Sequence, residues 1–121
     1  MDMKTSTRQT GDVTIIDISG RIALGEESAA VRDQIAQLLS EGHVKILLNL
    51  ANVQYIDSSG LGMLVSAFTS VRKAGGELKL VSLSEKVDDL MEITRLYTVF
   101  DIADDEASAV RSFDHKAAAG A

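Results

Sequence analysis

The chain has no cysteine, no proline and no tryptophan, and phenylalanine and tyrosine together supply only 4% of its 121 residues. The absence of cysteine excludes disulfides and thiolate zinc sites, and the two histidines, His43 and His115, are too distant in sequence to suggest a ligand cluster. We therefore expect no metal and no other cofactor. So few aromatic side chains argue against a stacking platform for nucleic-acid bases. Without proline, helix ends must be read from glycines and capping residues alone.

The charge balance is acidic, and no segment is apolar for long. A formal net charge of −6 disfavours non-specific nucleic-acid binding and suits a basic or mixed-charge protein partner. No run approaches the ~18 apolar residues of a membrane span, and residues 1–8 lack the apolar centre of a signal peptide. We therefore expect a cytoplasmic chain without membrane insertion. Its length predicts a single domain over residues 1–121, with a core at 4–113 and a flexible tail at 114–121.

What the sequence does contain is a polar turn between two apolar segments, at residues 55–62, which read Tyr-Ile-Asp-Ser-Ser-Gly-Leu-Gly. Residues 44–50 before it are mostly valine, isoleucine and leucine, which is typical of a strand covered on both faces. After it, apolar residues recur with helical spacing at Leu61, Leu64, Val65, Phe68 and Val71. The turn therefore lies at a helix N-terminus, where backbone N–H groups lack acceptors and a small hydroxyl can stand exposed. A serine there can cap the helix, be modified, or do both.

Strand patterns recur on both sides of this turn. Residues 13–18 and 77–82 have the composition of strands, and residues 5–9 can pair with the first of them as an antiparallel edge. Residues 98–101 suggest a short last strand. With helix patterns between the strands, the alternation predicts an α/β fold: a mixed β-sheet packed with about four α-helices.

Helix boundaries follow from acidic first turns, caps and glycines. One helix is expected to begin at Glu26 and to end before Gly42. Ser84 is the candidate cap of another, and the acidic residues Asp104, Asp105 and Glu106 are expected to begin the last. The residues predicted to face inward are Val31, Ile35, Leu38 and Leu39 in the first helix, Val87, Leu90 and Met91 in the third, and Ala107, Val110 and Phe113 in the last.

Known catalytic patterns do not fit the polar turn. A nucleophile elbow requires G-x-S-x-G, but the residues two positions before Ser58 and Ser59 are isoleucine and aspartate. Gly60 and Gly62 suggest a phosphate loop, yet the third glycine of G-x-G-x-x-G and the lysine of a P-loop are missing. The acidic run at 104–106 is interpreted as charge at a helix start rather than a cation site. We therefore expect that the chain is not an enzyme.

The polar turn resembles the motif of the STAS family, which is named for sulfate transporters and anti-sigma factor antagonists, and in particular that of the bacterial antagonists. In that group an apolar strand ending in Leu-Asn-Leu is followed by a short link, an aromatic or apolar pair and D-S-[ST]-G-[LIVM]-G. Here the strand ends at 48–50, the link is 51–54, the pair is 55–56 and the motif is 57–62. The resemblance extends over most of the chain and implies a STAS-like fold.

The resemblance also implies a binding module that works by partner switching. In such proteins the unphosphorylated form binds an anti-sigma factor, which is itself a serine/threonine kinase, and so releases the sigma factor. Phosphorylation of the first serine of the motif, here Ser58, abolishes binding, and a phosphatase restores it. Ser59 is the alternative acceptor. The free protein is expected to be a monomer or a weak dimer.

The resemblance places the partner-binding surface on the turn and at the end of the second strand. Its residues are Arg21, Ile22, Asp57, Ser58, Ser59, Gly60, Leu61, Gly62 and Met63. Met63 lies off the apolar stripe, which suggests an exposed apolar contact. Gly60 and Gly62 each cost about 1 kcal/mol of helix propensity relative to alanine, so they suggest the close approach of a partner backbone. The chain departs from many members at Ala23, where they carry an acidic residue.

Other interpretations stay open. Aspartate and serine favour helix N-termini whatever the function, so Asp57, Ser58 and Ser59 could be capping residues and nothing more. The chain could also be a STAS scaffold or accessory subunit of a stress-sensing or transporter-associated complex, without phosphorylation. An enzyme or nucleotide binder is the third class, and no motif supports it. Only the switched module predicts a phosphoryl adduct on protein from the native host.

Overall fold

The computed structural model describes residues 3–23 and 26–119, and of residues 114–119 it describes only the backbone. The strands are β1 (Lys4–Thr10), β2 (Val13–Ile22), β3 (Lys45–Ile56), β4 (Glu77–Val81) and β5 (Asp101–Ala103). The helices are α1 (Glu26–Ser40), α2 (Ser58–Lys73), α3 (Glu85–Thr94) and α4 (Glu106–Ala119), with a 3₁₀ turn at Leu96–Thr98. The strands form one sheet in the order β1-β2-β3-β4-β5, in which β1 is antiparallel to β2 and the other pairs are parallel. The mixed sheet and its helices confirm the predicted α/β class.

Helices cover the sheet on both faces, which explains the apolar character of its central strand. Alternate residues of β3 contribute to two separate cores, Ile46 and Leu48 to one and Leu47 to the other. The larger core includes residues from α1, α2 and α3, and the smaller one includes Ala109 and Phe113 of α4. A strand buried on both faces cannot alternate apolar with polar residues, so the continuous apolar run was a correct indication of its position.

The third strand is longer than the predicted 44–50, because its pairing with β2 continues through the polar link to the pair Ile22–Ile56. The pairing register shifts twice, between Asp17 and Ser19 and between Gly20 and Arg21 of β2. Such irregularities bend a strand and change which way its side chains point. As a result, the end of β2 lies beside the turn between β3 and α2.

The C-terminal elements differ from the expected ones. The last strand begins at Asp101, so the strand predicted for 98–101 is wrong; the chain before it forms the 3₁₀ turn. In α4 Ala107 is exposed, and Ala109 instead lies in the core with Phe113. The backbone of α4 is helical to Ala119. The flexibility of the tail stays a prediction, since the side chains beyond Phe113 lie outside the described residues.

The third helix is anchored to β3 and ends in a strained residue. Ser84 occupies the predicted N-cap position, but its hydroxyl donates to the carbonyl oxygen of Val53 at 2.7 Å and not to the helix. At the other end Arg95 adopts the left-handed conformation, with φ 61° and ψ 19°, and its N–H donates to the carbonyl of Glu92. This conformation is unfavourable for a residue with a Cβ atom.

A polar network on the face of the sheet opposite α2 ties β1, β2, β3 and α4 together. The Arg8 guanidinium donates from Nε to Oδ2 of Asp17 at 2.6 Å and from Nη1 to Oε2 of Glu106 at 2.9 Å. Asp17 also accepts from Nδ2 of Asn49 at 2.8 Å. The hydrogen bonds from Arg8 lower the pKa of both carboxyl groups, and those carboxylates in turn raise the pKa of Arg8.

Candidate functional site

The polar turn is built around Asp57, which caps α2. Its backbone is extended, with φ −103° and ψ −176°, and its Oδ1 accepts a hydrogen bond from the N–H of Gly60 at 2.8 Å. Its own N–H donates to the carbonyl oxygen of Ile22 at 3.3 Å, which attaches the turn to the end of β2. Of the three residues considered as caps, Asp57 is therefore the one that fills this role.

Ser58 is the first residue of α2, and its side chain is exposed. No other residue within the described ranges hydrogen-bonds to its hydroxyl, whereas the first-turn N–H of Gly60 is already satisfied by Asp57. Ser59 is half-buried. Because Ser58 is not needed as a cap, its hydroxyl is available to another molecule. Positive potential at the helix N-terminus makes this a favourable position for a negative group on that oxygen.

The two glycines of the motif have different roles, although the sequence suggested the same role for both. A Cβ atom on Gly60 would lie 2.6 Å from the carbonyl oxygen of Ile22 and 2.6 Å from Cγ1 of Ile56. The close approach at Gly60 is therefore to the chain's own β2 and β3, and its assignment to a partner backbone is wrong. A Cβ atom on Gly62 would meet nothing within 4 Å, and this residue is exposed.

Three other predicted contact residues have side chains in the core. Ile22 is fully buried, Leu61 is 6% exposed and Met63 is 4% exposed. The expected exposure of Met63 is wrong because α2 packs against α1 as well as against the sheet, which makes its buried face wider than a single stripe. These residues shape the surface from beneath, and the exposed positions of the predicted set are Arg21, Ser58 and Gly62.

Tyr55 belongs to this surface but was not among the predicted site residues. It pairs with Arg21 across β2 and β3, and the Arg21 guanidinium carbon lies 4.3 Å from the centroid of its ring. The side chain is 37% exposed. Its position three residues before Ser58, in a chain with so few aromatic residues, was the signal that could have identified it.

The described part of the chain offers little else at this end. In it, no group of three or more histidine, aspartate or glutamate side chains could hold a metal ion. Over the same residues, no helix has both the length and the apolar character needed to cross a bilayer. Ser28 Oγ donates to the carbonyl of Ala23 at 2.6 Å and so fixes the start of α1 beside the turn. What the site presents is an exposed hydroxyl at a helix N-terminus, flanked by an arginine stacked on a tyrosine.

The family match agrees with this fold, an α/β domain with a mixed sheet and an exposed serine at the start of α2. The sequence profile of the STAS domain matches residues 4–109. The chain belongs to the STAS domain family.

The chain covers nearly the whole length of several described relatives. The anti-sigma-B factor antagonist of Bacillus subtilis is 33% identical over 103 residues, which are 85% of this chain and 93% of the relative. The anti-sigma F factor antagonist of Paenibacillus polymyxa is 26% identical over 115 residues, 94% of this chain and 97% of the relative. The crystal structure of a Thermotoga maritima protein superposes with a TM-score of 0.84 at 28% identity, covering 91% of this chain and 94% of that one.

Proposed function

We propose that the protein is an anti-sigma factor antagonist that acts by partner switching. In its unphosphorylated form it binds a cognate anti-sigma factor with serine/threonine kinase activity and releases the sigma factor. Phosphorylation of Ser58 by that kinase abolishes binding, and a phosphatase restores it. The protein itself is not an enzyme, and it acts in the cytoplasm. Two relatives described as anti-sigma factor antagonists support the class of partner.

The main observation behind this proposal is that Asp57, and not Ser58, caps the helix. If the turn were only a helix cap, its serine hydroxyl would be expected to bond to the first-turn N–H groups. Asp57 accepts that bond instead, at 2.8 Å, and Ser58 projects from the surface. A kinase can therefore reach the Ser58 hydroxyl without unfolding the helix.

The position of Ser58 explains how one phosphoryl group could switch binding and leave the fold intact. A phosphoserine carries about −1.5 to −2 charges at neutral pH. The helix N-terminus favours such a charge, so the isolated domain tolerates it. A partner packed over the open surface at Gly62 would have to desolvate the phosphate beside the carboxylate of Asp57. Burying an uncompensated charge costs several kcal/mol, and each 1.4 kcal/mol is a tenfold loss of affinity.

The kinase reaction tests the proposal. The anti-sigma factor is recovered from the native host by affinity to the unphosphorylated protein and incubated with ATP and the wild type, Ser58→Ala or Ser59→Ala. We expect one phosphoryl group on the wild type and on Ser59→Ala, and none on Ser58→Ala, by intact mass spectrometry. Equal phosphorylation of Ser58→Ala would overturn the assignment of the acceptor. Stable binding without any phosphorylation would favour the scaffold interpretation instead.

A further inference from the structure

The Arg21–Tyr55 pair occupies a defined place next to the proposed switch. Arg21 and Tyr55 face each other in the parallel pairing of β2 with β3, and the next pair is Ile22–Ile56. The N–H of Asp57 then bonds to the carbonyl of Ile22. The pair is thus one step of the sheet away from the turn that carries Ser58, on the side of the strands opposite the buried Ile22 and Ile56.

No other described residue accepts a hydrogen bond from the Arg21 guanidinium. With its guanidinium carbon 4.3 Å from the centroid of the Tyr55 ring, the cation is stacked on an apolar platform. An arginine has five N–H donors in a fixed planar fork, which match a carboxylate with two parallel bonds. No carboxylate within the described ranges forms a salt bridge with Arg21. Stacking holds the side chain in place, so little freedom remains to be lost on binding.

The charges near Arg21 determine which partner groups it can bind. The protein has a net charge of −6, yet residues 20–23, Gly-Arg-Ile-Ala, carry a single charge, which is positive. Glu27 of α1 is close enough to interact with Arg21 electrostatically, but no acid stands at position 22 or 23. A cationic partner residue facing this segment would therefore meet Arg21 directly. Like charges brought together in an interface are strongly unfavourable, and this repulsion rejects wrong partners.

We propose that Arg21, held over Tyr55, is the contact by which this protein selects an anti-sigma factor that presents a carboxylate at the facing position. This inference rests on the proposed function and adds the chemistry of the partner to it. The carboxylate binds the guanidinium fork in the plane of the stacked group, and the Tyr55 ring excludes water from one side. An anti-sigma factor with a lysine or arginine at that position is excluded.

Calorimetric titration tests the contact. The anti-sigma factor recovered with the wild-type protein is titrated against the wild type, Arg21→Gln, Arg21→Lys and Arg21→Glu. Loss of one partner of a desolvated charge pair is expected to weaken binding roughly 10- to 100-fold in Arg21→Gln, and more in Arg21→Glu. Arg21→Lys keeps the charge but loses the bidentate geometry, and we expect it to fall between the wild type and Arg21→Gln.

Arg72 provides a matched control. It is also an exposed arginine, with its guanidinium carbon 5.7 Å from the centroid of Phe68, but it lies in the last turn of α2, away from Ser58. Arg72→Gln should bind like the wild type. If Arg21→Glu binds as tightly as the wild type, the contact is refuted while the proposed function stands. If the wild type itself binds no anti-sigma factor, the proposed function fails and this inference with it.

Discussion

The carbonyl oxygen of Ile22 lies 2.6 Å from the position that a Cβ atom on Gly60 would occupy. The end of β2 therefore passes so close to the first turn of α2 that only glycine fits there. The same carbonyl accepts the N–H of Asp57, so a single backbone group fixes both the cap and the helix. The two glycines of the turn can be separated by experiment on this basis.

We expect Gly60→Ala to destabilise the protein by about 1–3 kcal/mol, because the added methyl group must displace the backbone of β2 or the side chain of Ile56. Gly62→Ala adds a methyl group in open space and improves helix propensity, so it is expected to raise stability by up to about 1 kcal/mol. Urea unfolding of both variants measures the difference. Equal effects of the two substitutions would contradict the assignment of Gly60 to an internal contact.

A second expectation concerns the end of α3. Arg95 has φ 61°, a conformation that costs roughly 1 kcal/mol or more for a residue with a Cβ atom and little for glycine. Arg95→Gly is therefore expected to stabilise the protein by about 0.5–1 kcal/mol, although it removes an exposed charged side chain. Arg95→Ala retains the Cβ atom and should give no such gain. Thermal unfolding of the pair tests the idea, and a loss of stability in Arg95→Gly would refute it.

The Arg8 network gives the stability a dependence on pH. Hydrogen bonds from Arg8 lower the pKa of Asp17 and of Glu106 below their unfolded values, so their contribution is present above about pH 4 and is lost as the pH falls through the folded values. These side chains are partly exposed, and we expect Arg8→Gln to cost only about 1 kcal/mol at pH 7. The difference in the free energy of unfolding between wild type and Arg8→Gln should become smaller below pH 4.

The control for this network is Arg32→Gln on the exposed side of α1, since Arg32 forms no ion pair with the described residues. Its stability should run parallel to that of the wild type at every pH. A gap between wild type and Arg8→Gln that is the same at pH 3 and pH 7 would show that Arg8 stabilises the fold by packing and not by charge.

The sequence was sufficient for features that depend on neighbouring residues. The start of α2, its polar cap and the inward stripe beginning at Leu61 follow from residue types within a few positions of one another. The α/β class follows from the alternation of such local patterns. The predicted link at 51–54 was wrong because polar residues extend β3 through its pairing with β2, which is distant in sequence.

Features that depend on tertiary contacts could not be predicted. The different roles of Gly60 and Gly62 depend on the approach of Ile22, almost forty residues earlier in the chain. Met63 is buried because α1 packs beside α2, and neither helix indicates this by itself. The stacking of Arg21 on Tyr55 depends on a register shifted by irregular pairing, which spacing alone does not reveal.

The most direct test of the central claim is the affinity of the anti-sigma factor for Ser58→Glu compared with Ser58→Ala. A negative group at the first residue of α2 is favourable to the helix, so both variants should unfold at nearly the wild-type temperature. We expect Ser58→Ala to bind as the wild type does and Ser58→Glu to bind at least roughly 100-fold more weakly. Equal affinity of Ser58→Glu and the wild type, with both folded, would contradict a switch at Ser58.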